Sequence, residues 1–307
     1  MYFLSEDERK HVLKGLLPKS RELSVAEELR GWNWPRPPLE PMYPVRLALF
    51  EVAGKYCPNG RDLFLRRVQG LTRKPTRPML AGAAYHETLV RVLVRAKRYI
   101  YEKGVDRYRE IFIALRETPA VDPGAWWIPE AGEALPEITA RAELIHEFEV
   151  DRVAARIRDC LARQAHIAED SLVALAIPVV LEQKLDGSIL GLSQNLSADA
   201  LTLSEPMVVD LKFGEPRDFH RLGLVGYGLV MESVYEFPVN LGCLVYANFR
   251  QDRLVVRKEF HILDDELRQW LIEERDEKMR MVAEERDPGV GSSCPRYCQY
   301  RDVCHPS

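Results

Sequence analysis

No part of this 307-residue chain is apolar for long. No run approaches the ~18 consecutive apolar residues that a membrane-spanning helix needs, so the sequence argues against an integral membrane protein. Residues 1–10 are charged where a secretory leader would be apolar, which predicts no leader and a cytoplasmic location. Excess positive charge is missing too. The 43 Lys and Arg against 47 Asp and Glu give a net charge of −4, which excludes a chain that binds nucleic acid over its whole surface. Repeats and low-complexity tracts are absent, which excludes a solenoid or a disordered linker. Cysteine is sparse, with six in all, yet Cys294, Cys298 and Cys304 crowd together near the C-terminal end. The hydrophobic fraction of 46% is enough for an ordinary globular core.

The most telling motif is Asp210-Leu211-Lys212, which follows the apolar run Met207-Val208-Val209. That run reads as a buried strand, ended by Phe213-Gly214-Glu215-Pro216. Side chains alternate along a strand, so the acid and the amine share a face. Such a pair suits metal-dependent hydrolysis. The carboxylate holds a divalent cation, while the ammonium positions water and offsets developing negative charge. On the tripeptide alone, an intrastrand ion pair is the simpler account.

Upstream residues shift the balance. Residues 177–185 alternate weakly and stop at Asp186-Gly187, a hairpin signal. A second predicted strand spans 191–203 and carries Asp199, and Ser204-Glu205-Pro206 turns into the third. This β-meander would set Asp199 and Asp210 side by side. Buried aspartates are rare unless paired or bound to metal.

Downstream, residues 216–236 read as a helix with Leu222, Val225, Leu229 and Val234 as apolar positions. Gly223, Gly226 and Gly228 each lower its propensity by about 1 kcal/mol relative to alanine. They suit a helix that another backbone approaches closely. His220 and Tyr227 project from it. Strands follow at 240–249 and 252–262, joined at Arg250-Gln251, and an amphipathic helix at 264–286 closes the core. Nearer the N-terminus, 80–101 is the clearest helix and contains Gly82-Ala83-Ala84-Tyr85-His86-Glu87. A second helix is predicted at 149–167. Residues 120–136 read as an irregular loop whose Trp126 and Trp127 either stack on unpaired bases or pack the loop against a helix. Basic residues concentrate between 61 and 109 (Arg66, Arg67, Arg73, Arg91, Arg95 among them), which would let one side of the chain hold DNA.

A helix bearing G-x-x-x-H, a strand with Asp, a strand ending D-x-K and a helix with a late Tyr, in this order, resemble the RecB-type nucleases of the PD-(D/E)XK superfamily. The match covers residues 80–260. The resemblance implies an α/β restriction-endonuclease-like fold, a mixed central sheet flanked by helices. It further implies that His86, Asp199, Asp210 and the Leu211 carbonyl bind Mg²⁺ or Mn²⁺, with Lys212 and Tyr227 as catalytic residues. The helix motif of that family reads Q-x-x-x-Y, and here Gly223 stands in the glutamine's place. Glu182 aligns with an acid of the preceding strand.

The cysteines are an independent signal. Clustered thiols in a cytosolic chain bind metal more often than they form disulfides. Three thiolates need a fourth ligand for a tetrahedral iron or zinc site. Cys57, in the polar turn Lys55-Tyr56-Cys57-Pro58-Asn59-Gly60, is the best candidate, with His305 a weaker one. Cys160, in a predicted helix, and Cys243, in a predicted strand, read as buried small hydrophobes. One early cysteine plus a C-terminal triplet around a RecB-like core resembles the AddB-type iron–sulfur nucleases and the CRISPR-associated Cas-four exonucleases. The Trp/Pro-rich segment at 31–38 is most like the archaeal type I-A (Csa-one) branch. The usual triplet is C-x₂-C-x₅-C, and this one is C-x₃-C-x₅-C. The resemblance implies a [4Fe-4S] cluster on Cys57, Cys294, Cys298 and Cys304, with zinc as the alternative metal. It also implies a helical cluster lobe at 1–79 plus 288–307 and a nuclease core at 80–287. The implied activity is an exonuclease acting on single-stranded or splayed DNA ends for spacer acquisition, alongside the Cas-one and Cas-two integrase. Two other classes stay open: a DNA-binding adaptor of that integrase, favoured by Gly223, and a cluster-dependent redox or sensing protein.

Overall fold

The computed structural model describes residues 1–164, 166–202, 205–251, 253–292, 294–295 and 298–306. Its centre is a five-stranded sheet in the order β1-β2-β3-β4-β5. The strands are β1 (Val180–Leu185), β2 (Leu196–Thr202), β3 (Met207–Lys212), β4 (Leu241–Arg250) and β5 (Arg253–Ile262). Neighbours run antiparallel except β3 and β4, which are parallel, so the sheet is mixed. A parallel pair needs a crossover, and the helix between β3 and β4 supplies it.

Before the sheet come the short helices α1 (Glu6–His11), α2 (Leu17–Glu22), α3 (Leu49–Ala53) and α4 (Arg61–Arg67). Then follow α5 (Arg77–Lys103), α6 (Tyr108–Glu117), α7 (Ile128–Ala131), α8 (Leu135–Arg163) and α9 (Glu169–Ala176). The crossover is α10 (His220–Tyr235), with α11 (Asp265–Ala283) and α12 (Arg301–Cys304) closing the chain. Local chemistry sets several ends. Pro78 lies in the first turn of α5 and Gly104, at φ 78°, stops that helix. The Asp264 side chain accepts the Leu267 N–H to cap α11.

Strand alternation splits the core in two. Met207, Val209 and Leu211 of β3, with Cys243 and Val245 of β4, face a cluster built with α5, α8 and residues 1–4. Val208 of β3, with Leu244 and Tyr246 of β4, faces a second cluster built with α10 and α11. Asp210 and Lys212 lie two and four residues beyond Val208 and therefore share the α10 side. On that side a buried carboxylate, Glu232, accepts from Arg268 at 2.7 and 2.9 Å, from Arg30 at 2.8 Å, and from the amides of Gly31 and Val239. This network ties α10, α11 and the segment at 30–31 together.

Several sequence expectations need correction. The first strand starts at Val180 rather than 177, because α9 continues to Ala176. Asp186-Gly187 does not make a two-residue hairpin. The Asp186 carboxylate accepts the Ser188 N–H at 2.8 Å, a 3₁₀ turn follows at Ser188–Leu190, and β2 begins only at Leu196. Residues 203–204, part of the expected second strand and its turn, lie outside the described residues. The helix expected at 149–167 is α8, which starts at Leu135, and the loop expected at 120–136 contains α7 and the start of α8. Pro136 occupies the first turn of α8, where its missing N–H costs nothing. Among the described residues, no helix is long and apolar enough to cross a membrane.

Candidate active site

The end of β3 gathers the acids that the sequence singled out. In the β2–β3 ladder Ala200 is opposite Val209, so the next residues along each strand are Asp199 and Asp210. In the β1–β2 ladder Leu181 pairs with Ala200 and Gln183 with Ala198, so Glu182 falls opposite Asp199. Three carboxylates thus sit on consecutive strands at one level. Glu182 is held at φ 48°, a left-handed backbone that a non-glycine residue adopts at a cost, and such strain concentrates at functional sites. The Ser197 hydroxyl donates to Glu182 Oε2 at 2.8 Å.

Asp210 is buried, and Lys212 Nζ lies 2.8 Å from its Oδ2. The Lys212 ammonium is therefore the partner of this buried oxygen. Asp199 Oδ2 accepts the Leu211 N–H at 2.9 Å and lies 3.5 Å from His86 Nδ1. Burial, with the Asp210 charge adding to it, pushes Asp199 up to about 6, although His86, Lys212 and the Leu211 amide oppose the shift. Burial works against the Lys212 ammonium, but the charges of Asp210 and Asp199 outweigh it and raise its pKa.

Helix α5 reaches this pocket because Phe213, just past Lys212, meets Tyr85 and His86 edge to face at 4.9 and 5.4 Å between ring centres. Tyr227 enters from α10, and its hydroxyl donates to the Ser197 carbonyl at 2.8 Å. Burial and the three acids Asp210, Asp199 and Glu182 raise its phenol. A Cβ at Gly223 would stand 3.9 Å from Asp210 Oδ2, so the position where the resembling family carries glutamine does face the acid. The site residues expected from the sequence (His86, Asp199, Asp210, Leu211, Lys212 and Tyr227) are therefore brought to one place.

Sequence reasoning missed two further groups. The Tyr2 hydroxyl lies 3.0 Å from His86 Nδ1. His220 is buried between Tyr56, 3.1 Å from its Nε2, and Tyr246, 3.1 Å from its Nδ1. Burial and the Lys212 charge lower His220 to about 4, so it is neutral. Tyr246 is the β4 partner of Lys212, which places this relay along the lysine's flank. No local signal marks Tyr2, since its partner is 84 residues away.

The four cysteines share one corner. Cys57 Sγ approaches Asn59 Oδ1 at 3.4 Å, and the Asn59 amide donates to Gly289 O at 2.7 Å. Arg61 reaches Cys304 Sγ at 3.4 Å. Cys298 and Cys304 pack on Phe64, Leu65, Met281 and Tyr300. Burial raises the Cys298 thiol, and the charges of Cys57 and Cys294 add to the rise. All six cysteines are free thiols; Cys160 and Cys243 are buried in the core.

Among the described residues, no three His, Cys, Asp or Glu side chains converge closely enough to hold a metal ion, in the acidic pocket or in this corner. The chemistry of the donors nevertheless suits two different metals. Carboxylates and an imidazole match a hard divalent cation, and thiolates match iron or zinc.

The expected basic track is largely engaged within the chain. Arg66 and Arg67 pair with Glu51, Arg73 with Asp302, Arg77 with Glu137, and Arg91 with Glu87 and Asp122. Of the two adjacent tryptophans, Trp127 is buried with its N–H on Glu87 at 3.0 Å, whereas Trp126 is 62% exposed. Only Trp126 is placed to meet a base.

A family model described as CRISPR-associated exonuclease Csa1 matches residues 1–307. A protein of Thermoproteus tenax described as CRISPR-associated exonuclease Csa1 is 33% identical over 282 residues, covering 91% of each chain. Its namesake from Saccharolobus solfataricus is 30% identical over 301 residues, covering 94% of each.

Proposed function

This chain belongs to the CRISPR-associated exonuclease Csa1 family, and we propose that it hydrolyses phosphodiester bonds at DNA ends with Asp199, Asp210, His86 and Lys212 as its working residues. One observation carries the reading. Two acids on adjacent strands lie beside an ammonium 2.8 Å from one and an imidazole 3.5 Å from the other. That set matches the PD-(D/E)XK nucleases of the RecB type, to which we assign the fold. Asp199, Asp210, His86 and the Leu211 carbonyl would hold Mg²⁺ or Mn²⁺, which supplies Lewis-acid polarisation of the scissile phosphate.

The chain's own groups do the rest. The Leu211 N–H fixes the direction of Asp199 Oδ2. The two acids keep Lys212 charged, so its ammonium orients water and offsets charge that develops on the phosphate. Tyr227 braces β2 through the Ser197 carbonyl. Cys57, Cys294, Cys298 and Cys304 would carry a structural [4Fe-4S] cluster. The substrate is single-stranded or splayed DNA, trimmed in the type I-A pathway before the Cas-one and Cas-two integrase inserts it. A second reading, a DNA-binding adaptor with little activity of its own, is favoured by Gly223, which leaves the place beside Asp210 without a side chain.

End-labelled single-stranded and splayed DNA incubated with Mn²⁺ separates the two. The wild type should cleave, and Asp199→Ala, Asp210→Ala and Lys212→Ala should each lower the rate by at least about 100-fold, roughly 3 kcal/mol of barrier. Full activity of both aspartate variants would reject the site. Binding without cleavage by the wild type would establish the adaptor.

A further inference from the structure

We propose that Tyr56 is a substrate-positioning residue: its ring, on the flank of Lys212, stacks on a base of the single strand whose phosphate enters the acidic pocket. The inference rests on the proposed hydrolysis of DNA and adds to it a contact outside the acidic set.

Tyr56 follows α3 and is anchored at two points. Its hydroxyl lies 3.1 Å from His220 Nε2, and its ring meets Phe219 edge to face at 4.9 Å between centres. Both partners stand at the start of α10. Even so, 51% of the residue stays exposed. A tyrosine has few rotamers to lose, and this one is directed before any ligand arrives, so a base that lies on it pays little ordering cost.

Its place singles it out among the exposed aromatics. His220 carries the contact on to Tyr246, 3.1 Å from its Nδ1, and Tyr246 is the β4 partner of Lys212. Burial works against the Lys212 ammonium, and after Asp210 and Asp199 the Tyr56 phenol is among the groups that support it. The lysine side chain is itself 35% exposed, so a phosphate can reach it from solvent. Beyond burial, the charges of Lys212 and then of Arg217 hold His220 neutral, while Asp210 opposes them. Lys212 and the exposed Arg217 thus bring two cations to the flank on which Tyr56 stands. The arginines of the expected basic track, by contrast, are engaged by carboxylates of the chain. A strand that gains little from that track can gain affinity by stacking, and stacking tolerates any base, as the trimming of arbitrary ends requires.

The test uses the full-length protein in buffer without divalent cations and a single-stranded DNA that carries 2-aminopurine at one position at a time. Affinity is read by fluorescence anisotropy, and stacking by quenching of the 2-aminopurine. One stacked base is worth about 5- to 150-fold in affinity. Tyr56→Ala should lose that much, and Tyr56→Phe, which keeps the ring, should recover most of it. One 2-aminopurine position should be quenched by the wild type and bright with Tyr56→Ala. An abasic site at that position should weaken wild-type binding by a similar factor and leave Tyr56→Ala with almost nothing further to lose. Urea unfolding checks each fold, and Tyr56→Leu, which fills the space without a π face, replaces the alanine variant if that one is unfolded. If the wild type binds and, with Mn²⁺, cleaves DNA while Tyr56→Ala binds as tightly, this inference is wrong and the nuclease reading stands. Equal losses from Tyr56→Phe and Tyr56→Ala would give the effect to the hydroxyl on His220 and overturn it, as would a loss that the abasic site leaves undiminished. A wild type that neither binds nor cleaves single-stranded DNA removes the nuclease reading, and the part given to Tyr56 goes with it.

Discussion

Replacing Asp199 with asparagine tests the electrostatics of the pocket without relying on catalysis. Burial and the neighbouring Asp210 charge carry this carboxyl from an ordinary 3.8 up to about 6. A tenfold change in proton affinity is worth ~1.4 kcal/mol, so keeping the ionised form folded above pH 6 costs on the order of 3 kcal/mol. The folded pKa is raised. The contribution therefore favours the fold fully below about pH 4 and is lost as pH rises through about 6. The amide carries no charge and keeps an oxygen for the Leu211 N–H. In cation-free buffer at pH 8, Asp199→Asn should resist urea better than the wild type, by up to about 3 kcal/mol. The two proteins should converge as pH falls toward 4. Mn²⁺ should close most of that gap, because a ligand at a hundredfold excess over its Kd stabilises the protein that binds it by ~2.7 kcal/mol. A variant that is weaker than the wild type at every pH, or one that gains as much from Mn²⁺, would refute the reasoning.

Glu232→Ala should cost about 3–5 kcal/mol in urea unfolding, since it leaves the Arg268 and Arg30 charges buried without their shared carboxylate. A loss below about 1 kcal/mol would mean that solvent reaches those guanidinium groups. Protein purified without oxygen should be brown and contain iron, and Cys298→Ser should remove most of both. Zinc in place of iron, with no visible absorption, would assign the corner to the other metal. Metal content unchanged by the substitution would remove Cys298 from the ligand set.

The elements that carry the site were legible because their signals are local. Alternation placed Asp210 and Lys212 on one face, and the β2–β3 register did set Asp199 beside Asp210. The same local reasoning put His86 on α5 but gave no reason for that helix to meet β3; the contact of Tyr85 and His86 with Phe213 supplies it. Tyr2 and the Tyr56–His220–Tyr246 relay were invisible, because each joins residues far apart in sequence. The pairing of the basic stretch was hidden for a related reason. Composition shows the arginines but not the carboxylates opposite them, such as Glu51 for Arg66 and Arg67.

The fastening of Phe3 bears on how the protein comes into being. Its carbonyl is held by Arg152 on α8 and by Lys258 on β5, groups that a ribosome adds long after it. Residues 1–4 must wait, apolar and uncovered, until those later elements exist, and at ordinary synthesis rates of about 5–20 residues per second that wait lasts tens of seconds. The pocket beside His86 is thus finished late, and a half-made chain lacks the phenol that meets that imidazole.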